Sequence, residues 1–178
     1  MKFRLAIFLI LIAAVSRLFP HPPNFTPLAA IGLFGVAHLE RRWLAWAVPF
    51  AALFVSDLLL NNVLYSQYYE GFVWFTSGWI YLSFALVLAV GWGLLRRRRI
   101  SALRVTGASL TASAVFFLVS NFSVWLGGGM YPKTGAGLMA CYTAGLPFFS
   151  NTLLGDLAFS GILFGGYAWM LRSKLATA

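Results

Sequence analysis

Four acids stand in this 178-residue sequence: Glu40, Asp57, Glu70 and Asp156. Glu40 adjoins Arg41 and Arg42, and Glu70 sits in a tyrosine-rich polar stretch, so both read as solvated. Asp57 and Asp156 lie within apolar runs, and Arg17 ends the first such run. A charge in apolar surroundings needs a partner or a water-filled cavity. Two readings follow for these three residues. Arg17 pairs with one or both acids and ties three helices together, or the three orient a polar ligand. The two can coexist.

Further polar groups gather where apolar runs end: His21, Asn24, Thr26, Asn61, Asn62, Asn121, Tyr131, Lys133, Tyr142, Asn151 and Thr152. Amides and hydroxyls at helix ends commonly cap backbone groups. Breaks at Pro and Gly accompany them, and irregular backbone is tolerated at membrane depth only beside protein or a cavity. An outward-facing pocket is therefore expected. The expected ligand-binding set is Arg17, His21, Asn24, Asp57, Asn121, Trp125, Tyr131, Lys133, Tyr142, Asn151 and Asp156. Trp125 and Tyr131 flank the run Gly127-Gly128-Gly129, which makes them the choice for ring contacts with a flat ligand.

Catalysis finds little support. His21 and His38 are expected on opposite sides of a membrane, so they build no paired-His metal site, and no metal is expected. The single Cys141 excludes an internal disulfide. It reads as a small apolar residue, with ligation of a soft metal in a bound cofactor as the alternative. No cofactor motif is present, and no P-loop, so the chain does not hydrolyse ATP itself.

The elements that must position these residues follow from composition. Hydrophobic residues make up 61% of the chain and charged ones 10%, against about 45–50% and about 25% in soluble domains. A water-soluble protein of this size has too much surface to hide that apolar excess. This excludes a soluble enzyme, a disordered tail and a disulfide scaffold. At about 20 residues per crossing, the pattern predicts an all-α polytopic membrane bundle forming one domain over residues 1–178. Six spans are expected, at about 3–19, 26–39, 43–60, 72–95, 105–126 and 152–171. Residues 137–149 read as a short re-entrant element or half-helix before the last span, broken at Pro147. The basic start and short first apolar run also describe a signal peptide.

Sidedness follows from the cations. With the N-terminus inside, Lys2, Arg4, Arg41, Arg42, Arg96 to Arg99, Arg104, Arg172 and Lys174 face one side. Only Arg17 and Lys133 face the other. Such asymmetry over short loops marks the cytoplasmic face. Both termini are thus expected in the cytoplasm, across a bacterial inner membrane. The net charge of +9 becomes an anchor beside anionic lipid, and no nucleic-acid partner is expected.

Several runs carry a resemblance. Arg17-Leu18-Phe19-Pro20-His21-Pro22-Pro23-Asn24-Phe25-Thr26-Pro27, Ser56-Asp57-Leu58, Asn121-Phe122-Ser123-Val124-Trp125-Leu126 and Tyr131-Pro132-Lys133-Thr134 resemble a family of small, uncharacterised bacterial membrane proteins. So does Asn151-Thr152-Leu153-Leu154-Gly155-Asp156-Leu157. That family in turn resembles the substrate-binding S components of energy-coupling-factor (ECF) vitamin transporters, through size, six spans and the opening Pro23-Asn24-Phe25-Thr26-Pro27. The resemblance implies ligand capture from the outer side and docking to a membrane subunit that carries ATPases. S components commonly dock through an Ala-x-x-x-Ala stripe in the first span. Here Ala6 is followed four positions later by Ile10, a departure that leaves a solitary form open.

The expected function is uptake of a small water-soluble nutrient, a vitamin or its precursor. The alternatives are a structural or assembly membrane protein without ligand, and a membrane enzyme acting on a lipid-linked substrate. A side-chain-filled outer half would favour the first, and an acid or His open sideways to the bilayer the second.

Overall fold

The computed structural model describes residues 2–176. The expected placement of the chain ends concerns residues 1, 177 and 178, which lie outside the described residues. The fold is all-α, with six helices and no strand among the described residues. They are α1 (Lys2–Ser16), α2 (Leu28–His38), α3 (Arg42–Leu59, extended by a π-helical turn Leu60–Leu64), α4 (Gly78–Leu94) and α5 (Ala102–Gly127). The sixth, α6, runs from Gly135–Ser160 through a π-helical turn Gly161–Gly165 into Gly166–Ala176.

Three helices, Arg42–Leu64, Ala102–Gly127 and Gly135–Ser173, are long and apolar enough to cross a membrane. Leu28–His38 and Gly78–Leu94 are shorter apolar helices. Residues 137–149 and 152–171 do not form a half-helix and a separate span, because Pro147 lies inside one continuous helix. A proline in a helix removes a donor and clashes locally, yet α6 is held on both sides of Pro147 by α5. Tyr142 donates to the Leu118 carbonyl at 2.8 Å, Phe149 packs on Phe117 at 4.5 Å, and Ser113 donates to Asp156 at 2.6 Å. Tertiary packing thus overrides the local break. The Gly135–Ser173 stretch, 39 residues, is about 58 Å long at about 1.5 Å per residue.

The centre of the molecule is α2. Every residue from Leu28 to Val36 is buried, and α2 packs against all five other helices. A helix apolar on every face belongs inside a bundle, and glycines let it approach its neighbours closely. A Cβ on Gly35 would stand 2.6 Å from Pro49 Cγ, and one on Gly91 of α4 would stand 3.1 Å from Leu33. Residues Ala6, Ile10, Ala13 and Ala14 of α1 are buried in this core as well.

Antiparallel packing sorts the cations. At one end of α2 lie Arg41, Arg42 and the run Arg96 to Arg99. Arg96 donates to the carbonyls of Val36 at 3.1 Å, Leu39 at 3.2 Å and Glu40 at 2.8 Å, closing the C-terminus of α2. It also stacks on Trp92, 4.2 Å from the ring centre. Burial, then the charges of Arg97 and Arg42, lower the Arg96 pKa from its ordinary value. The other end of α2 carries Arg17 and the segment 17–27. His21 and His38 flank opposite ends of α2, His21 exposed and His38 packed on Phe34 and Tyr167.

Candidate functional site

A cavity of about 330 Å3 opens at the arginine-poor end, directly above the first turn of α2. Leu28 and Ala29 form its floor. The segment before α2 is folded into its wall by Asn24, which adopts a left-handed backbone at φ 63°, a region Asn tolerates better than most residues. Thr26 N–H donates to the Asn24 carbonyl at 3.0 Å, and Asn151 of α6 donates to the Pro23 carbonyl at 3.0 Å. Gly155 permits this contact, since a Cβ there would meet Thr26 N at 3.1 Å.

Two charged groups stand together on one wall. Arg17 donates through Nη2 to Asp57 Oδ1 at 3.0 Å and through Nη1 to Ser56 Oγ. Arg17 is 8% exposed and Asp57 2%, so this ion pair is largely buried where it borders the cavity. Tyr81 and Thr76 complete the shell of Asp57, donating to Oδ2 at 3.3 Å and 3.4 Å. The pair therefore joins the end of α1 to α3, with α4 bracing it. The Arg17 Nε–H is buried and has no hydrogen-bond partner among the described residues.

Asp156 does not join that pair. It accepts from Ser113 Oγ of α5 at 2.6 Å, while the Ala29 N–H at the start of α2 faces the same carboxylate. No side chain of its own loop caps α2, whose N-cap position is Pro27. A carboxylate beside free N–H groups is favoured by the positive end of the helix dipole. Asp156 thus caps α2 from a different helix.

Of the expected ligand-binding residues, Arg17, Asn24, Asp57, Asn121 and Asp156 line the cavity. The other six do not. His21 is exposed and its Nδ1 contacts the Pro22 carbonyl at 3.0 Å. Asn151 holds the Pro23 carbonyl, Tyr142 the Leu118 carbonyl, and Tyr131 is half-buried outside the lining. Trp125 donates to the Pro132 carbonyl at 2.9 Å, and Lys133 donates to the carbonyls of Trp125 and Gly128, the latter at 2.7 Å. Trp125 and Lys133 thereby lock the turn between α5 and α6. Cys141 is buried, its Sγ 3.4 Å from the Asn121 carbonyl.

The cavity also takes residues outside the expected set: Thr26, Thr76, Ser120 and Thr152 among polar ones, and Phe116, Phe117 and Phe148 among aromatic ones. Thr26 and Thr152 stood among the polar groups at the ends of apolar runs, and Ser120 was visible as a spacing signal, since Phe116, Phe117, Ser120 and Asn121 share one face of α5 at helical intervals. The site can hold a small molecule with an apolar side against the phenylalanines and a polar side toward Arg17, Asp57 and Asp156. Asn24 and Thr26 side chains make no hydrogen bond among the described residues, so they are free to meet it.

Fold and cavity together define a six-helix bundle with three helices of membrane-crossing length and a polar-walled pocket at one end. The chain belongs to the family described as a family of unknown function (DUF6580), which matches it over residues 1–178. No curated protein and no solved structure matches it.

Proposed function

We propose that this protein crosses a bacterial cytoplasmic membrane six times and takes up a small water-soluble nutrient, a vitamin or its precursor. The single observation that carries the reading is the cavity of about 330 Å3, floored by α2 and walled by Arg17, Asp57 and Asp156. Its size falls within the range of about 300–1,000 Å3 common for small-molecule sites. Intramembrane charges arranged around a cavity commonly mark a substrate path. The resemblance of the opening Pro23-Asn24-Phe25-Thr26-Pro27 to that of ECF S components is in keeping with this reading, with ligand capture at the arginine-poor end. An energising membrane subunit with ATPases belongs to the proposal. It would dock away from the small residues of α1, because Ala6, Ala13 and Ala14 are buried inside the bundle.

The test is a thermal-shift screen of purified protein against water-soluble vitamins and their precursors, paired with uptake into cells. One chemical class should raise the melting temperature, and Asp57→Asn and Asp156→Asn should each lower uptake. No stabilisation by any compound, with uptake intact in both variants, would sink the proposal.

Orientation is tested separately. In a Cys141→Ala background, a cysteine replacing Gln67 should react with a membrane-impermeant maleimide on intact spheroplasts. One replacing Arg98 should react only after lysis. Both positions are exposed in the fold, so the reverse pattern would invert the topology.

A further inference from the structure

Beneath the cavity, the seam between α5 and α6 holds a second polar group. Ser109 and Ser113 stand four residues apart on α5, and Asp156 and Ser160 four apart on α6. The helices run antiparallel, and Ser113 meets Asp156 at 2.6 Å, so Ser109 and Ser160 occupy the next turn down on each side. All four are buried: Ser109 and Ser113 are 0% exposed, Asp156 and Ser160 2%.

Two facts set these residues apart. The first is charge. The salt bridge among the described residues joins Arg17 to Asp57 and leaves Asp156 without a cationic side chain. A helix N-terminus supplies at most about half a positive charge, so the Ala29 N–H offsets a carboxylate only in part. The second is the state of the hydroxyls. Ser56, Ser83, Thr111, Thr143 and Thr152 donate back to the carbonyl four residues earlier, the usual outlet for a hydroxyl inside a helix. Ser109 Oγ and Ser160 Oγ do not, and neither has any partner among the described residues. A buried hydroxyl without a partner is costly and calls for an explanation.

We propose that Asp156, Ser113, Ser109 and Ser160 bind a dehydrated monovalent cation of sodium size. One carboxylate and three hydroxyls form an all-oxygen set suited to a hard cation. The cation neutralises Asp156 and gives both orphan hydroxyl oxygens a partner. Ser113 Oγ lies 2.6 Å from Asp156 Oδ2 and 3.0 Å from the Ser109 carbonyl, yet it carries a single proton. With the cation bound, that proton turns to the Ser109 carbonyl and the oxygen lone pairs face the metal. Because Asp156 also faces the first turn of α2 and lines the cavity, the cation fixes the cavity floor. The site stands on the α5–α6 seam and does not depend on an organic ligand above it.

Sodium titrations of the purified protein test this, read by melting temperature at constant ionic strength with choline as the balancing cation. Wild type should gain about 5 °C as sodium saturates, with potassium weaker by at least tenfold in midpoint. Asp156→Asn should lose the response. Ser109→Ala and Ser160→Ala, which remove only a hydroxyl, should each shift the midpoint at least tenfold and keep the proposal testable if Asp156→Asn fails to fold. Thr111→Val, on the exposed face of α5, should respond as wild type. Equal responses to sodium, potassium and choline would overturn the proposal. So would a stabilisation produced only by added acid, or wild-type midpoints in both alanine variants. The vitamin screen is run at fixed sodium, so its outcome is scored independently.

Discussion

Arg17→Ala is expected to cost about 3–5 kcal/mol of stability, because it leaves a buried carboxylate without its counter-charge. Asp57 is 2% exposed, and once Arg17 is gone its remaining donors are the hydroxyls of Tyr81 and Thr76. Two neutral hydroxyls at 3.3–3.4 Å do not replace a guanidinium at 3.0 Å. For a chain of this length the loss corresponds to roughly 6–20 °C in melting temperature. Arg17→Lys should recover part of it, since an ammonium keeps the charge but not the fork that reaches Ser56 and Asp57 together. The double variant Arg17→Met, Asp57→Leu should recover most of it, because removing both charges also removes the desolvation penalty. A melting series of the four proteins in one detergent decides the matter. Arg17→Ala within about 1 kcal/mol of wild type would place the pair in the surface class of ion pairs, against its burial. The double variant further separates roles. If it melts like wild type but no longer responds to the ligand class found by screening, the pair recognises ligand as well as tying α1 to α3.

The second large effect concerns the cavity. Thr152→Trp should weaken binding of that ligand class at least roughly a hundredfold, about 2.7 kcal/mol, while leaving the fold intact. Thr152 is half-buried on the cavity wall and its hydroxyl is already spent on the Phe148 carbonyl at 3.1 Å. An indole placed there grows into open volume between Phe148 and the floor of α2, where overpacking costs little. Thr152→Ser should behave as wild type. Titration of ligand against melting temperature reads both, and an undiminished response in the tryptophan variant would move the ligand out of this cavity.

The helices were legible where the sequence punctuates them. Arginine clusters at 41–42 and 96–99 and the breaks at Pro20 to Pro23 and Gly127 to Gly129 bracket apolar runs, and helices α1 to α5 fall between them within a few residues. The exception is the start of α4, expected near 72 and found at Gly78. There Asn62 holds the loop open by pairing with the backbone of Val73 at 2.7 and 2.8 Å, a contact that apolarity does not announce. The continuity of α6 was hidden for a similar reason, since Pro147 is a local signal and its override is tertiary. Scarcity of charge pointed Arg17 toward Asp57 and Asp156 alike, and only the fold selects Asp57 as its partner. The partners of Asp156 were not legible, because they are a serine and a backbone N–H, groups too common to single out. Its neighbours Ser109 and Ser160 carried a readable sign, the four-residue spacing from Ser113 and Asp156, yet only depth of burial distinguishes such serines from ordinary helix residues.

The shortness of α2 has an electrical consequence. Its 11 residues cover about 16 Å, roughly half of a hydrocarbon layer about 30 Å thick. With the proposed six-span orientation, water in the cavity above it would carry the potential of the outer solution down to Ala29. The membrane voltage would then fall mainly across α2 and the arginines that close its far end, rather than over the full bilayer. On that orientation, an ion leaving the cavity for the cytoplasm would cross nearly the whole voltage in that short distance, worth about 2.3 kcal/mol per charge at 100 mV. On the proposed orientation, the resting potential of the cell would be a driving force delivered to the floor of the pocket.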